Sequence, residues 1–211
     1  MLRVDPRADM LAVIDVQPTF MPGGELPVPE GDKVVPVINH LLHDRFRAAF
    51  ATQDWHPPGH ASFATSHPGA SPYDVVQMPY GEQILWPDHA LQGTPNAALH
   101  PALDQARLQM ILRKGTDPAV DSYSAFLEND RVTSTGLAGW LRDRGIRRLF
   151  LCGLATDFCV AWSARHAIEH GFEAVIIEDA CRGVGVVGAD GRSSLDLTGH
   201  GLTMLASAGL A

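Results

Sequence analysis

Short apolar runs, separated by stretches with helical spacing, restrict this chain to few folds. Leu11-Ala-Val-Ile-Asp15-Val is almost continuously apolar, and Ala48–Gln53, Leu108–Leu112, Arg148–Cys152 and Ala174–Ile177 read likewise. Runs of this kind suit strands covered on both faces. Between them, Asp32 to His43 carries apolar side chains at 34, 35, 37, 38, 41 and 42. Gly136 to Arg144 predicts a short helix stopped by Gly145, and Phe158 to His170 a longer one stopped by Gly171. Strands alternating with helices imply right-handed βαβ units. The expectation is α/β: a three-layer α-β-α domain over 1–211 with a mainly parallel central sheet of five to six strands. Ser194 to Leu205 reads as a further helix. Ala208-Gly-Leu-Ala stops where another strand would begin, so a final strand is expected to be short or missing.

Composition narrows the function. The chain has 211 residues, 45% hydrophobic and 19% charged, with a formal net charge of −8. That length suits one domain, or two small ones. The excess of acid argues against nucleic acid, whose phosphates need clustered Lys and Arg. The one dense basic run, Arg142 to Arg148, is broken by Asp143. No apolar stretch is long enough for a membrane span, and the charged N-terminus does not read as a secretory signal. Cys152, Cys159 and Cys181 are odd in number and lack metal or redox spacing, which points to a reducing cytoplasm.

One region breaks the rhythm. From Asp54 to about Leu103 periodicity is weak and Pro, Gly, Ser and His abound. A loop region this long inside a compact domain is usually functional. In an open parallel sheet the ligand lies beyond the carboxyl ends of the strands, so polar residues just after each strand should converge. These are Asp15 with Gln17, Asp54 with His56, Lys114, and the turn Ala155-Thr-Asp-Phe-Cys159.

Cys159 falls at a strand-to-helix turn, where a helix N-terminus lowers a thiol pKa and can hold an oxyanion. The alternative is a small buried hydrophobe, the reading given to Cys152 and Cys181. Asp15 interrupts an apolar strand, and Lys114 closes another. Together with Cys159 they would form an acid–base–nucleophile set; apart, they would be a cap or salt bridge and a solvated lysine. Asp54-Trp-His56 puts two ligand-type side chains on one face of extended chain, with His60, His67 and His89 following. Imidazole with carboxylate suits zinc, iron or manganese, but loop histidines also bond backbone carbonyls. His40, His43, His166, His170 and His200 are expected in solvent. Phe20, Trp86 and Tyr123 flank the same rim, as core or as walls for a flat ring.

Taken in order, these motifs resemble a known family. They are Val13-Ile-Asp-Val-Gln17 with Phe20 and Gly23-Gly24, Gln53-Asp-Trp-His-Pro-Pro-Gly-His60 with Ser62-Phe63, and Trp86-Pro-Asp-His89 with Gly93-Thr94. Lys114-Gly115, Tyr123-Ser-Ala-Phe126 and Cys152-Gly-Leu-Ala-Thr-Asp-Phe-Cys-Val160 follow. From about Ala12 to Gly183 the chain is similar to the nicotinamidase (pyrazinamidase) branch of the isochorismatase-like cysteine hydrolase superfamily. The resemblance implies hydrolysis of nicotinamide to nicotinic acid and ammonia through a cysteine thioester, in NAD salvage, with pyrazinamide a further substrate. It makes Cys159 the nucleophile, Asp15 the general base and Lys114 its charged partner. It puts the oxyanion hole at the backbone N–H groups of Ala155 and Cys159, with a cis peptide before Ala155. It gives Asp54, His56 and His89 to one divalent metal ion, zinc first, with iron or manganese the alternatives and His60 an optional addition. Phe20, Trp86 and Tyr123 would pack around the ring. The implied partner is a small molecule, with neither nucleic acid nor membrane, and homo-oligomers occur in the family. Pro18-Thr19 departs from the Asn-Asp of many members and is expected to bear on substrate preference. Two rivals stay open: another amidase or isochorismatase-type hydrolase on this scaffold, and a non-catalytic metal- or ligand-binding homologue.

Overall fold

The computed structural model describes residues 1–185 and 202–211. Six strands form one parallel sheet in the order β5-β2-β1-β6-β7-β8. These are β1 (Asp9–Ile14), β2 (Ala49–Asp54), β5 (Ile111–Lys114), β6 (Arg148–Leu154), β7 (Glu173–Arg182) and β8 (Thr203–Leu205). Every residue of β1 and β2 is buried, as continuous apolar strands between two helical layers require. Helices α1 (Val34–Asp44), α2 (Leu137–Asp143) and α3 (Ala161–Glu169) flank the sheet. The chain leaves β1 toward β2 and leaves β6 toward β7, in opposite directions along the sheet. Right-handed crossovers therefore put α1 and α3 on opposite faces.

Several expected boundaries move. The β5 run starts and ends later than its apolar residues suggest, so Lys114 is its last member, paired with Asp54. β7 extends well past Ile177 to Arg182. The helix expected from Phe158 is regular only from Ala161, because a π-helical turn, Thr156–Val160, comes first. The helix expected over Ser194 to Leu205 is corrected at its end. Thr203–Leu205 is the short edge strand β8, pairing with Val175–Ile177, and the start of that stretch lies outside the described residues. Within the irregular region, β3 (Val75–Met78) and β4 (Gly81–Ile84) form an antiparallel hairpin apart from the main sheet.

β1 and β6 are neighbours whose connections run opposite ways, so the crevice beyond their carboxyl ends is the switch point where such sheets bind ligands. Asp15, the Ala155–Cys159 turn, Asp54 and Lys114 all lie at that rim.

Candidate active site

Lys114 is the hub. Its side chain is fully buried, with Nζ 2.9 Å from Asp15 Oδ2 and 2.9 Å from Asp54 Oδ1. Nζ also donates to Ser122 O at 2.8 Å and lies 3.5 Å from Cys159 Sγ. A buried ammonium survives only when paired, and the two carboxylates lift its pKa well above the ordinary value despite burial. Asp15 accepts a 2.6 Å hydrogen bond from the Thr52 hydroxyl. Burial raises the Asp15 pKa, with Lys114 opposing. Asp15, at φ 46°, holds a left-handed conformation that non-glycine residues seldom adopt. The structure thus brings Asp15, Lys114 and Cys159 together.

Cys159 sits in the π-helical turn behind β6, and the preceding Leu154–Ala155 peptide is cis. Such turns are frequent at functional sites. The expectation of a lowered thiol pKa is corrected. Burial, only partly offset by Lys114, pushes Cys159 well above the ordinary thiol range. The resting group is therefore a thiol, its sulfur 3.5 Å from the Lys114 ammonium. Cys152 and Cys181 are buried within the sheet, away from this cluster.

Beside Lys114 a second cluster forms around Asp54. Gln17 clamps the Asp54 backbone from both sides, donating to its carbonyl at 2.9 Å and accepting from its N–H at 2.8 Å. His56 Nδ1 faces the Gly115 carbonyl at 2.9 Å and His89 Nδ1 the Pro87 carbonyl at 2.8 Å. Both rings therefore carry their proton on Nδ1 and turn an Nε2 lone pair inward. Those nitrogens lie 3.1 and 3.4 Å from Asp54 Oδ2. Three acceptors facing one another repel unless a cation stands between them, so this donor set fits a metal ion. Without one, a proton does the same work: burial lowers the His56 pKa, but Asp54 outweighs it and the net shift is upward.

His60 is adjacent but turned differently. Its Nδ1 lies 3.2 Å from the Ser62 N–H and 2.8 Å from the Ser62 hydroxyl. Accepting at Nδ1 leaves its proton on Nε2, a buried atom with no hydrogen-bond partner among the described residues. His56, His60 and Asp121 each offer one atom within 4.8 Å of the others. His67 bonds the Ala61 carbonyl instead. His166, expected in solvent, is buried on α3 beside Trp162, and burial lowers its pKa. His40 and His43 pair with Asp44 and Asp104 near the surface. His200 lies outside the described residues.

A narrow pocket joins the two clusters. Phe20, Trp86 and Tyr123 line it with Asp54, His89, Ala155 and Cys159. Leu26, Asp121, Phe158 and Val184 complete the wall. Trp86 and Tyr123 stand edge-on to Phe158, with centroids 4.9 and 5.5 Å away. Sequence reasoning missed Asp121 and Phe158, although both lie inside the quoted motifs or one turn from them. Thr19, by contrast, is not on the pocket wall: its hydroxyl accepts from Ala90 N at 3.1 Å, behind His89. A wider cavity of about 820 Å³ adjoins the pocket, sharing Tyr123 and Phe158 and bordered by Val75, Ile84, Trp162 and His166.

Fold and site define a class, a parallel-sheet hydrolase scaffold with a buried thiol, and the sequence falls within it. The chain belongs to the isochorismatase family, whose domain matches residues 9–191. It is 48% identical over 197 residues to the nicotinamidase of Acinetobacter baylyi, covering 93% of this chain and 92% of that one. Identity to the nicotinamidase of Escherichia coli is 42% over 203 residues, 94% of each. An Acinetobacter baumanii nicotinamidase/pyrazinamidase superposes with a TM-score of 0.92 at 44% identity, over 97% of this chain and 99% of that one. L. infantum PnC1, solved in complex with nicotinate, gives 0.85 at 38% identity, over 100% and 98%. A pyrazinamidase of Pyrococcus horikoshii in complex with zinc gives 0.72 at 32% identity, over 94% and 98%.

Proposed function

We propose that this chain is a nicotinamidase, an amidohydrolase converting nicotinamide to nicotinic acid and ammonia and acting on pyrazinamide as well. The observation that carries the reading is one pocket lined by the Cys159 thiol, behind which stand Asp15 and Lys114, and by Asp54 and His89 of a three-residue set of convergent cation ligands completed by His56. The nicotinamidases it matches over nearly their whole length supply the substrate.

Asp15 takes the Cys159 proton as sulfur attacks the carboxamide carbon, because a buried thiol must lose its proton during attack. Lys114 keeps Asp15 and the nascent thiolate paired. The backbone N–H groups of Ala155 and Cys159 receive the oxyanion, where loss of one donor costs about 10²–10³ in rate. Asp15 then passes its proton to the departing ammonia, leaving a thioester on Cys159. With Asp15 again a carboxylate, it takes a proton from water as the water's oxygen attacks the thioester carbon. The C–S bond breaks, nicotinic acid leaves and the proton returns to sulfur. Phe20, Trp86 and Tyr123 hold the ring flat. Asp54, His56 and His89 would hold one divalent cation, with zinc the first choice from the mixed N/O donor set. Once bound, it supplies a Lewis acid for the ring nitrogen. The product feeds NAD salvage. Among the described residues no helix is long and apolar enough to cross a membrane.

Chromatography of products from purified, zinc-loaded protein tests this reading. Nicotinic acid should form from nicotinamide in step with ammonia, while isochorismate stays intact. Turnover of isochorismate without turnover of nicotinamide would overturn it in favour of another hydrolase of the family.

A further inference from the structure

The β3–β4 hairpin lies outside the main sheet and contributes nothing to the chemistry above, yet it sends one fully buried amide to the site. Gln83, 1% exposed, sits on β4. Its Nε2 lies 2.9 Å from Asp121 Oδ2, 2.9 Å from Tyr123 Oη and 2.7 Å from the Ile84 carbonyl. Its Oε1 accepts from the Tyr80 hydroxyl and from Asn129 Nδ2, each at 3.2 Å. Two of the three acceptors on the Nε2 side belong to side chains that line the Cys159 pocket.

Those two neighbouring acceptors belong to residues with different surroundings. Asp121, 2% exposed, is a second buried carboxylate on the cation side, with Oδ1 3.9 Å from His56 Nε2 and held by the Ser122 N–H at 2.8 Å. His60 belongs to the same cluster. Tyr123 belongs to the aromatic side, where its oxygen also accepts from Trp86 Nε1 at 3.2 Å. The two protons of one amide can thus reach a carboxylate near the ligand histidines and a ring oxygen on the substrate wall, with the Ile84 carbonyl as a competing acceptor.

We propose that Gln83 is a positioning residue, holding Asp121 against the His56–His60 side of the pocket and Tyr123 against its aromatic side. The claim rests on the reading of this pocket as a cation-assisted amidase site. Gln83 touches neither substrate nor reacting atoms and acts through its two partners. An amide suits the place because it offers donors to a carboxylate and a phenol together. Methionine, of similar length, offers none.

Two quantities test this in Gln83→Met: zinc affinity of the resting protein, by competition with a chromogenic chelator, and KM and kcat for nicotinamide measured separately. Zinc affinity should fall about 10–100-fold, as for other groups that orient a metal's ligands. KM should rise while kcat stays within about threefold, because Asp15, Lys114 and Cys159 keep their contacts. Asp121→Asn should weaken zinc similarly, and adding Gln83→Met to it should cost no further zinc affinity. Val75→Gly, which loosens the same hairpin at an exposed position of β3, should stay within about twofold of wild type in both quantities. Wild-type zinc affinity and KM in Gln83→Met would overturn the proposal. So would equal losses in Val75→Gly, which would point to the hairpin's stability instead. If Gln83→Met does not fold, unchanged zinc affinity in Asp121→Asn overturns it alone. Zinc affinity is read without substrate, so failure to hydrolyse nicotinamide counts against the proposed function and not against Gln83.

Discussion

Lys114 shows how one side chain can serve stability and chemistry together. It neutralises Asp15 on the thiol side and Asp54 on the ligand side, 2.9 Å from each. Removing one partner of a buried ion pair leaves charge unpaired at a cost of about 3–5 kcal/mol. Lys114→Met should therefore lose about that much stability in urea unfolding, along with its activity. Asp15 makes a second prediction. Its raised pKa means it stays protonated at pH values where an ordinary carboxylate has ionised. A protonated Asp15 cannot accept the thiol proton, so kcat/KM should fall on the acid side above the usual carboxylate range near pH 3.8. A pH profile with its acid limb at or below that value would remove Asp15 as the base. Asp15 and Lys114 were legible because each is a charged residue at the end of an apolar strand, and Cys159 because it sits at a strand-to-helix turn. Asp121 and Gln83 were not: each lies in a polar stretch where such a residue is ordinary, and only the folded chain shows that it is buried.

At the scale of elements, strand ends deliver the chemistry and tight turns aim it. Gly115 follows β5 at φ +63°, and a Cβ there would meet His56 Cε1 at 2.4 Å and Nδ1 at 2.7 Å. Gly115→Ala should thus push the His56 ring off the Gly115 carbonyl that sets its tautomer. Zinc affinity should drop by about 10–100-fold, with backbone strain adding about 1–2 kcal/mol. Equilibrium dialysis of the variant checks this, and unchanged affinity would show that the ring tolerates the shift. Sequence spacing located β1, β2 and β6 well because their residues are almost all buried, and placed β5 less well because Ile111 and Arg113 are exposed. It missed the hairpin because β3 alternates exposed and half-buried positions within four residues, too short a run to stand out. The π-helical turn was hidden for another reason: apolar spacing through Phe158 and Val160 is the same whether the first turn is regular or widened.

For the whole molecule, the switch point between β1 and β6 explains why residues from four strand ends meet. The chain order of strands could be read from alternation, but the sheet order depends on contacts far apart in sequence. The short β8 shows the limit: residues 203–205 read as helix and pair as a strand, because the open edge of β7 overrides local preference. A cation shared by β2 and the 54–103 region should stabilise the fold by mass action, about 2.7 kcal/mol at one hundred times Kd. Stripping it with a chelator should therefore lower Tm by about 5–10 °C for a chain of this size, read by calorimetry, and restoring zinc should recover it. An unchanged Tm would mean that the Asp54–His56–His89 cluster holds no structural share of the ion. The central claim, amide hydrolysis that needs the thiol and the cation together, is tested most directly by ammonia release from nicotinamide. Zinc-loaded wild type, Cys159→Ala and a chelated sample would be run side by side. The account predicts release from the first alone, with Cys159→Ala folded and reduced at least about 10⁴-fold. Substantial release from Cys159→Ala, or full activity after chelation, would contradict it.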